Sequence, residues 1–285
     1  MSKSNLVASI RQRLLNIAKS NGEAFDYVLA RYGTERLLYR LANSSHSNSF
    51  VLKGAILFYA WNKQMHRPTR DVDLLGFGSD DLEIVKETFS EIARIPMHED
   101  GLSFDADSIK ADSIREQASY QGIRIKMLAT LGNVRIPIQI DIGFGDAITP
   151  STDTLELPSL LPELSSPVLR TYPVYTVIAE KLEAMVSLGD FNTRMKDFFD
   201  IHFLVTNEKL DPEILSQAIR ATFERRKTAL PASLTDSLKP KFAKQKQVQW
   251  AAFLNRNNLK SAPKDLSIIL NEIAEKLPID WENLK

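Results

Sequence analysis

Asp71 and Asp73 flank Val72 in the stretch Asp71-Val72-Asp73-Leu74-Leu75-Gly76. On an extended strand, residues two apart project from the same face, about 7 Å apart along the chain. Both carboxylates can then converge on one divalent cation while Val72 packs inward. Asp141 supplies a third carboxylate, on the polar side of a stretch whose Ile136, Ile138, Ile140 and Ile142 take the other side. If the two strands are neighbours, three carboxylates share one cleft. Phosphoryl or nucleotidyl transfer with one or two Mg²⁺ ions requires such a cleft. Clustered carboxylates repel one another, which is itself a reason to expect a cation. Lys53–Gly54 stands just before an apolar, helix-like run from Ala55 to Trp61. Gly54 permits close backbone approach, and a helix start offers N–H groups to a phosphate. The plainer account of an isolated Asp-x-Asp is a turn, with Asp71 following Pro68.

A second cluster lies further along, at Glu180–Lys181 and at Asp190, Arg194 and Asp197. Spacings of four and then three put the last three residues on one helical face if Asp190 begins the helix. Arg194 then pairs with Asp190 or Asp197, or faces a phosphate. Lys181, on the preceding helix, is a point charge suited to a triphosphate. A salt-bridged surface helix is the plainer reading.

The elements that must position these residues follow from pattern. With 285 residues, about two domains are expected, and a 44% apolar, 25% charged composition supports a real core. The 36 basic and 36 acidic residues give net charge 0, which excludes a wholly polybasic protein. There is no cysteine, so disulfides, thiolate nucleophiles and cysteine-ligated metals are excluded. No two of the four histidines are close enough in sequence to suggest a metal pair. The N-terminus lacks the unbroken apolar stretch of a signal peptide and no run has transmembrane length, so a soluble, cytoplasmic protein without membrane partners is expected.

Residues 4–19 read as an amphipathic helix, 25–32 as a short second one ended by Gly33, and Thr34 as the cap of a third carrying Leu37, Leu38 and Leu41. Arg36 on that third helix reads as a solvated surface residue. Residues 62–70 form a polar turn region and 81–92 a helix. The alternating stretches 123–127 and 134–142, separated by Leu131-Gly132-Asn133, predict a hairpin. Pro137 inside the second strand predicts an edge position or a bulge. Five prolines between 150 and 173 predict a crossover, and helices are expected at 176–188, 192–205, 210–224, 240–254 and 264–275. The boundaries expected are a helical segment over 1–44, a core over 45–150, the proline-rich crossover over 151–173 and a helical domain over 174–285.

Read together, the blocks Phe50–Leu57, Arg67–Leu75, Ile138–Asp146, Glu180–Val186 and Arg194–Ile201 resemble the AbiEii/AbiGii-type toxin family. That resemblance implies an α/β (α+β) fold with a polymerase-beta-like nucleotidyltransferase core, a short mixed sheet, a helical N-terminal segment and a helical C-terminal lobe. It implies a toxin encoded beside a cognate antitoxin, of the type associated with phage defence and growth arrest. The enzyme activity implied is nucleotide transfer from an NTP with release of pyrophosphate, using Mg²⁺ or Mn²⁺, with the tRNA 3′ end as the expected acceptor. Asp71 and Asp73 then correspond to the metal-binding pair, and Lys53–Gly54 to the start of the phosphate-side motif. Lys181 corresponds to the triphosphate-contacting lysine, with Arg194 beside it in the nucleotide-binding set. Asp197 corresponds to the acidic residue that completes the site, and Asp141 to the third, metal-binding carboxylate of the wider superfamily. Relatives often carry a second glycine after the lysine where this chain has Ala55, so a slightly different phosphate-side turn is expected. The same fold acting on a protein or small molecule, or binding nucleotide without turnover, are the alternatives.

Between Arg225 and Lys264 there are ten basic residues against one acid, Asp236. Such a concentration suits a phosphate backbone or an acidic antitoxin. Phe242, Trp250 and Phe253 are interleaved with it, at a spacing more typical of core than of base stacking.

Overall fold

The N-terminal periodicity forms two helices rather than three. α1 (Lys3–Asn21) ends at the expected break, but α2 (Phe25–Ala42) runs unbroken through Gly33 and Thr34. Gly33 is there for space: a Cβ at this position would stand 3.0 Å from Ile136 Cγ2 and 3.3 Å from Ile138 Cδ1. The glycine lets the helix lie close on the sheet, and this packing outweighs its intrinsic tendency to interrupt a helix. Arg36, expected in solvent, is buried on this helix and donates to the Ser165 carbonyl at 2.7 Å. Arg40, one turn on, donates to Asp100 Oδ2 at 2.6 Å, and Asp100 accepts from the Leu102 amide at 3.0 Å. A buried charge is tolerated when paired in this way, and the pair ties the helix to the entry of a strand.

The structure is a computed structural model describing residues 3–62, 66–69, 71–117, 120–231, 233, 235–281 and 284. Residues 63–65 of the polar turn and Arg70 of the Arg67–Leu75 block lie outside the described residues. The chain divides into two compact units, Met1–Gly145 with Asp153–Thr171, and Asp146–Thr152 with Tyr172–Lys285.

In the first unit α1 and α2 are followed by β1 (Phe50–Lys53), α3 (Ile56–Asn62), β2 (Val72–Gly76), α4 (Leu82–Arg94), β3 (Leu102–Gln117), β4 (Tyr120–Leu131) and β5 (Val134–Phe144). The proline-rich stretch adds β6 (Asp153–Glu156) and β7 (Val168–Thr171), with Pro158, Pro162 and Pro167 between the two strands. The sheet is seven-stranded, in the order β3-β4-β5-β2-β1-β7-β6. It is mixed, because β2 runs parallel to β5 and β1 parallel to β7 while the other pairs are antiparallel. Asp81 caps α4 by accepting from the Glu83 and Ile84 amides, and Val85, Phe89 and Ile92 form its buried face.

The expected hairpin forms, with Leu131 opposite Val134. Pro137 is in the interior strand β5, yet no ladder hydrogen bond is sacrificed on its β2 side. The β2 register reaches only Ile140, so Pro137 lies beyond the stretch that β2 covers. β3 has no clean alternation, and its register with β4 shifts between Asp105 and Lys110. There Asp105 accepts from the Asp107 and Ser108 amides at 3.1 and 3.2 Å, a side chain substituting for ladder partners.

The second unit holds α5 (Val174–Leu188), α6 (Met195–Asn207), α7 (Pro212–Arg226), α8 (Pro240–Arg256) and α9 (Leu266–Lys276). Asp211 caps α7 and Asp265 caps α9. Phe242 and Trp250 are core residues with no exposed surface, and the Trp250 indole donates to the Pro263 carbonyl at 2.9 Å. Among the described residues no helix is long and apolar enough to cross a membrane.

Candidate active site

Strand register brings distant residues into one line. Lys53 on β1 lies opposite Asp73 on β2, Asp73 beside Asp141 on β5, Asp141 opposite Arg124 on β4, and Arg124 opposite Asp112 on β3. Cross-strand partners share a face, so the row Lys53–Asp73–Asp141–Arg124–Asp112 runs across five strands on one side of the sheet. Lys126 and Gln139, also register partners, form the next row on that side. Asp71 stands two residues before Asp73, just outside the strand, and is exposed, while Val72 between them is buried. The strand parity expected for the carboxylates is therefore realised, and Asp73 and Asp141 are immediate neighbours.

Gly54 is required by this row. Its φ is +80°, and a Cβ there would stand 2.0 Å from Asp73 Oδ2. Only a residue without a side chain lets the backbone turn against that carboxylate. Ala55 is not among the described residues with positive φ, so its methyl group does not oppose the turn.

Asp141 is engaged by a residue that the sequence reading passed over. Arg124 donates from Nε to Asp141 Oδ1 at 2.7 Å and from Nη2 to Oδ2 at 2.6 Å, a bidentate pair. The hydrogen bond to Asp141 is the main reason the guanidinium is held more firmly protonated than usual, and Asp141, Asp71 and Asp112 add their negative charge. The only signal in the sequence was its polar position in the alternating Ile123-Arg124-Ile125-Lys126-Met127.

The donor chemistry fits a hard divalent cation at the Asp-x-Asp pair, whose oxygens are the ligand type Mg²⁺ and Mn²⁺ prefer. Among the described residues no group of three histidine or acidic side chains is poised around one metal position. A nucleotide-bound Mg²⁺ does not need such a cage, because one or two carboxylates and the phosphates share its coordination. An open groove of about 400 Å³ adjoins Asp71 and is lined also by Asp26, Lys126, Arg135 and Gln139.

In the second unit Lys181 on α5 meets α6. Its ammonium lies 3.0 Å from Asp197 Oδ1 and 2.8 Å from Asp200 Oδ2, and Arg194 Nε donates to Asp197 Oδ2 at 2.6 Å. Both aspartates have no exposed surface. Burial pushes the Asp197 carboxyl up, yet Lys181, Arg194 and Lys196 together outweigh it and hold the pKa below the ordinary range. Asp200 was missed as a site residue, although it follows Asp197 by three on the same helix. Asp190 does not share the helix face expected for it: it sits in a 3₁₀ turn, Gly189–Phe191, and α6 starts only after Arg194.

The basic stretch is also smaller than its sequence suggests. Arg226 is drawn inward onto Glu183 at 2.9 Å, Glu180 at 3.2 Å and Asp146 at 3.3 Å. Arg225, Lys227, Lys239, Lys241, Lys244, Arg256, Lys260 and Lys264 remain exposed. The histidines carry no assigned chemistry: His66 stacks on Phe58 and His202 pairs with Glu272.

A family model described as "Nucleotidyl transferase AbiEii toxin, Type IV TA system" matches residues 36–272. No curated protein sequence gives a significant match. Two solved structures share the fold at 15% sequence identity. One, "Crystal structure of JHP933 from Helicobacter pylori", has a TM-score of 0.51 over 85% of this chain and 88% of that one. The other, "Crystal structure of putative nucleotidyltransferase from H. pylori", has a TM-score of 0.52 over 89% and 97%.

Proposed function

The chain belongs to the AbiEii nucleotidyltransferase toxin family of type IV toxin–antitoxin systems, and from that premise we propose that it transfers a nucleotide from an NTP to the 3′ end of tRNA in the presence of Mg²⁺, so blocking translation. One observation carries the reading: Asp73 stands in register between Lys53 and Asp141, with the Gly54 backbone turned against its carboxylate. Asp71 and Asp73 would hold the cation. Bound there, Mg²⁺ would offset the triphosphate charge and ease departure of pyrophosphate.

The remaining work falls to the chain itself. By the family resemblance Lys53 and Gly54 begin the phosphate-side motif; Lys53 is buried, and the Asp73 carboxylate takes the space beside Gly54. The family resemblance gives Lys181 as the triphosphate-contacting lysine, and within the second unit Asp197 and Asp200 fix its position while Arg194 holds Asp197. The acceptor hydroxyl gives up its proton to water and attacks the α-phosphorus in line, an α-phosphoester bond forms, and the bond to pyrophosphate breaks, the pyrophosphate leaving with the bonding electrons. The exposed lysines and arginines between Arg225 and Lys264 hold the RNA backbone. The family's type IV arrangement implies a cognate antitoxin that relieves the arrest.

The test is transfer of label from each α-³²P NTP to total tRNA with Mg²⁺, with D73A as control. Label on tRNA with one or two nucleotides, lost in D73A, is expected. Growth arrest by the wild type without any transfer would move the activity to another acceptor. Arrest by a folded D73A protein would end the enzymatic reading.

A further inference from the structure

We infer that Asp141 is not a ligand of the catalytic cation but the anchor of Arg124, whose guanidinium supplies a fixed positive charge to this site. The inference rests on the reading of Asp71 and Asp73 as the cation pair. Both oxygens of Asp141 accept from Arg124, at 2.7 and 2.6 Å, and only 13% of the Asp141 side chain is exposed. A cation seated on Asp141 would compete with both charge-assisted bonds for the single carboxylate charge. It would also stand beside the guanidinium, because adjacent strands are only about 4.8 Å apart, and two positive charges at that range repel.

The surroundings hold Arg124 where it is. Asp112 lies opposite it on β3, and Asp71 and Asp112 both add to the field that keeps it charged. A guanidinium never gives up its proton under ordinary conditions, so this charge is permanent, whereas a second metal ion would be exchangeable. Its planar fork orients the Asp141 carboxylate flat between two strands. Arg124 is therefore a positioning residue, set in the row next to Asp141 and one strand further from Asp73, and the protein's own cation demand is met by Asp71 and Asp73 alone.

The inference is tested by titrating Mn²⁺ into the full-length chain and following unbound Mn²⁺ by electron paramagnetic resonance. The wild type is expected to bind one ion per chain, and D73N to weaken it at least about tenfold. D141N, which keeps an acceptor for Arg124, is expected to change affinity less than about threefold. R124M exposes Asp141 beside Asp73 and is expected to tighten binding about fivefold or add a second ion, and R124M/D141N to return to the wild-type curve. Weakening in D141N equal to that in D73N overturns the inference and leaves the cation pair intact. Wild-type binding by D73N overturns the cation pair and the inference with it. Circular dichroism melts accompany each titration. Should D141N not fold, R124K, which cannot make the fork, carries the same expectation as R124M, and an unchanged R124K curve overturns the inference.

Discussion

In the first unit the charged residues stand in a row across five strands, each held by its register, with Arg124 one-third exposed and the exposed Asp71 just before the strand of Asp73. In the second unit the charges are drawn inward between two helices, where Asp197 and Asp200 have no exposed surface and Lys181 lies between them. At Asp71, Asp73 and Arg124 water stands ready to replace a lost contact, although Lys53 and Asp141 in the same row are buried. A buried cluster has no such replacement, and each carboxylate left without its cation keeps its full desolvation penalty. Mutation should therefore affect chemistry in the first cluster and folding in the second.

The sharpest way to break this comparison is K181M. It takes a shared cation from two buried carboxylates, of which Asp197 keeps Arg194, and is expected to destabilise the second unit by about 3–5 kcal/mol, read by urea unfolding through circular dichroism. A stability change under about 1 kcal/mol would show that the cluster is solvated like the first. D73N is the converse: transfer activity is expected to fall at least about 100-fold, equivalent to about 2.7 kcal/mol of barrier, while the unfolding midpoint stays within the scatter of a surface substitution.

G54A joins the two kinds of effect. The added Cβ meets the Asp73 carboxylate at a φ of +80°, so a cost of about 1–3 kcal/mol in stability is expected, with loss of transfer because Asp73 must move. Retained transfer in a destabilised G54A protein would separate the turn from the chemistry.

The smallest effect is a pH dependence. The Asp197 pKa is depressed in the fold, so its contribution is present above the unfolded value of about 4 and is lost as the pH falls through the folded value. Acid unfolding monitored at Trp250 should begin below about pH 5. In R194A, which removes one of the cations holding Asp197 ionised, the transition should move to higher pH. An unmoved transition would mean that Lys181 alone sets this carboxyl.

Much of the framework of the candidate site was legible in the chain. Asp71-Val72-Asp73 and the Val134–Ile142 alternation fixed which side chains share a face, because a strand has a period of two whatever it pairs with. Leu131-Gly132-Asn133 marked the hairpin, and the helices after Thr176 followed from their apolar repeat. Other elements were hidden for identifiable reasons. Gly33 reads as a stop but serves as a contact surface for Ile136 and Ile138. β3 lacks alternation because its register shifts at Asp105. Arg36 and Arg226 read as surface charge but are buried against a carbonyl and three carboxylates.

By itself, then, the sequence determined the residue types at the site, the faces of their strands and the family to which the chain belongs. Only the tertiary structure decided their neighbours. Arg124 meets Asp141 across 17 residues, and Lys181 meets Asp200 across 19. The physical reason is that periodicity is a local property of the backbone, whereas the partner of a charge is set by strand register and by burial. Both depend on where segments distant in the chain come to pack.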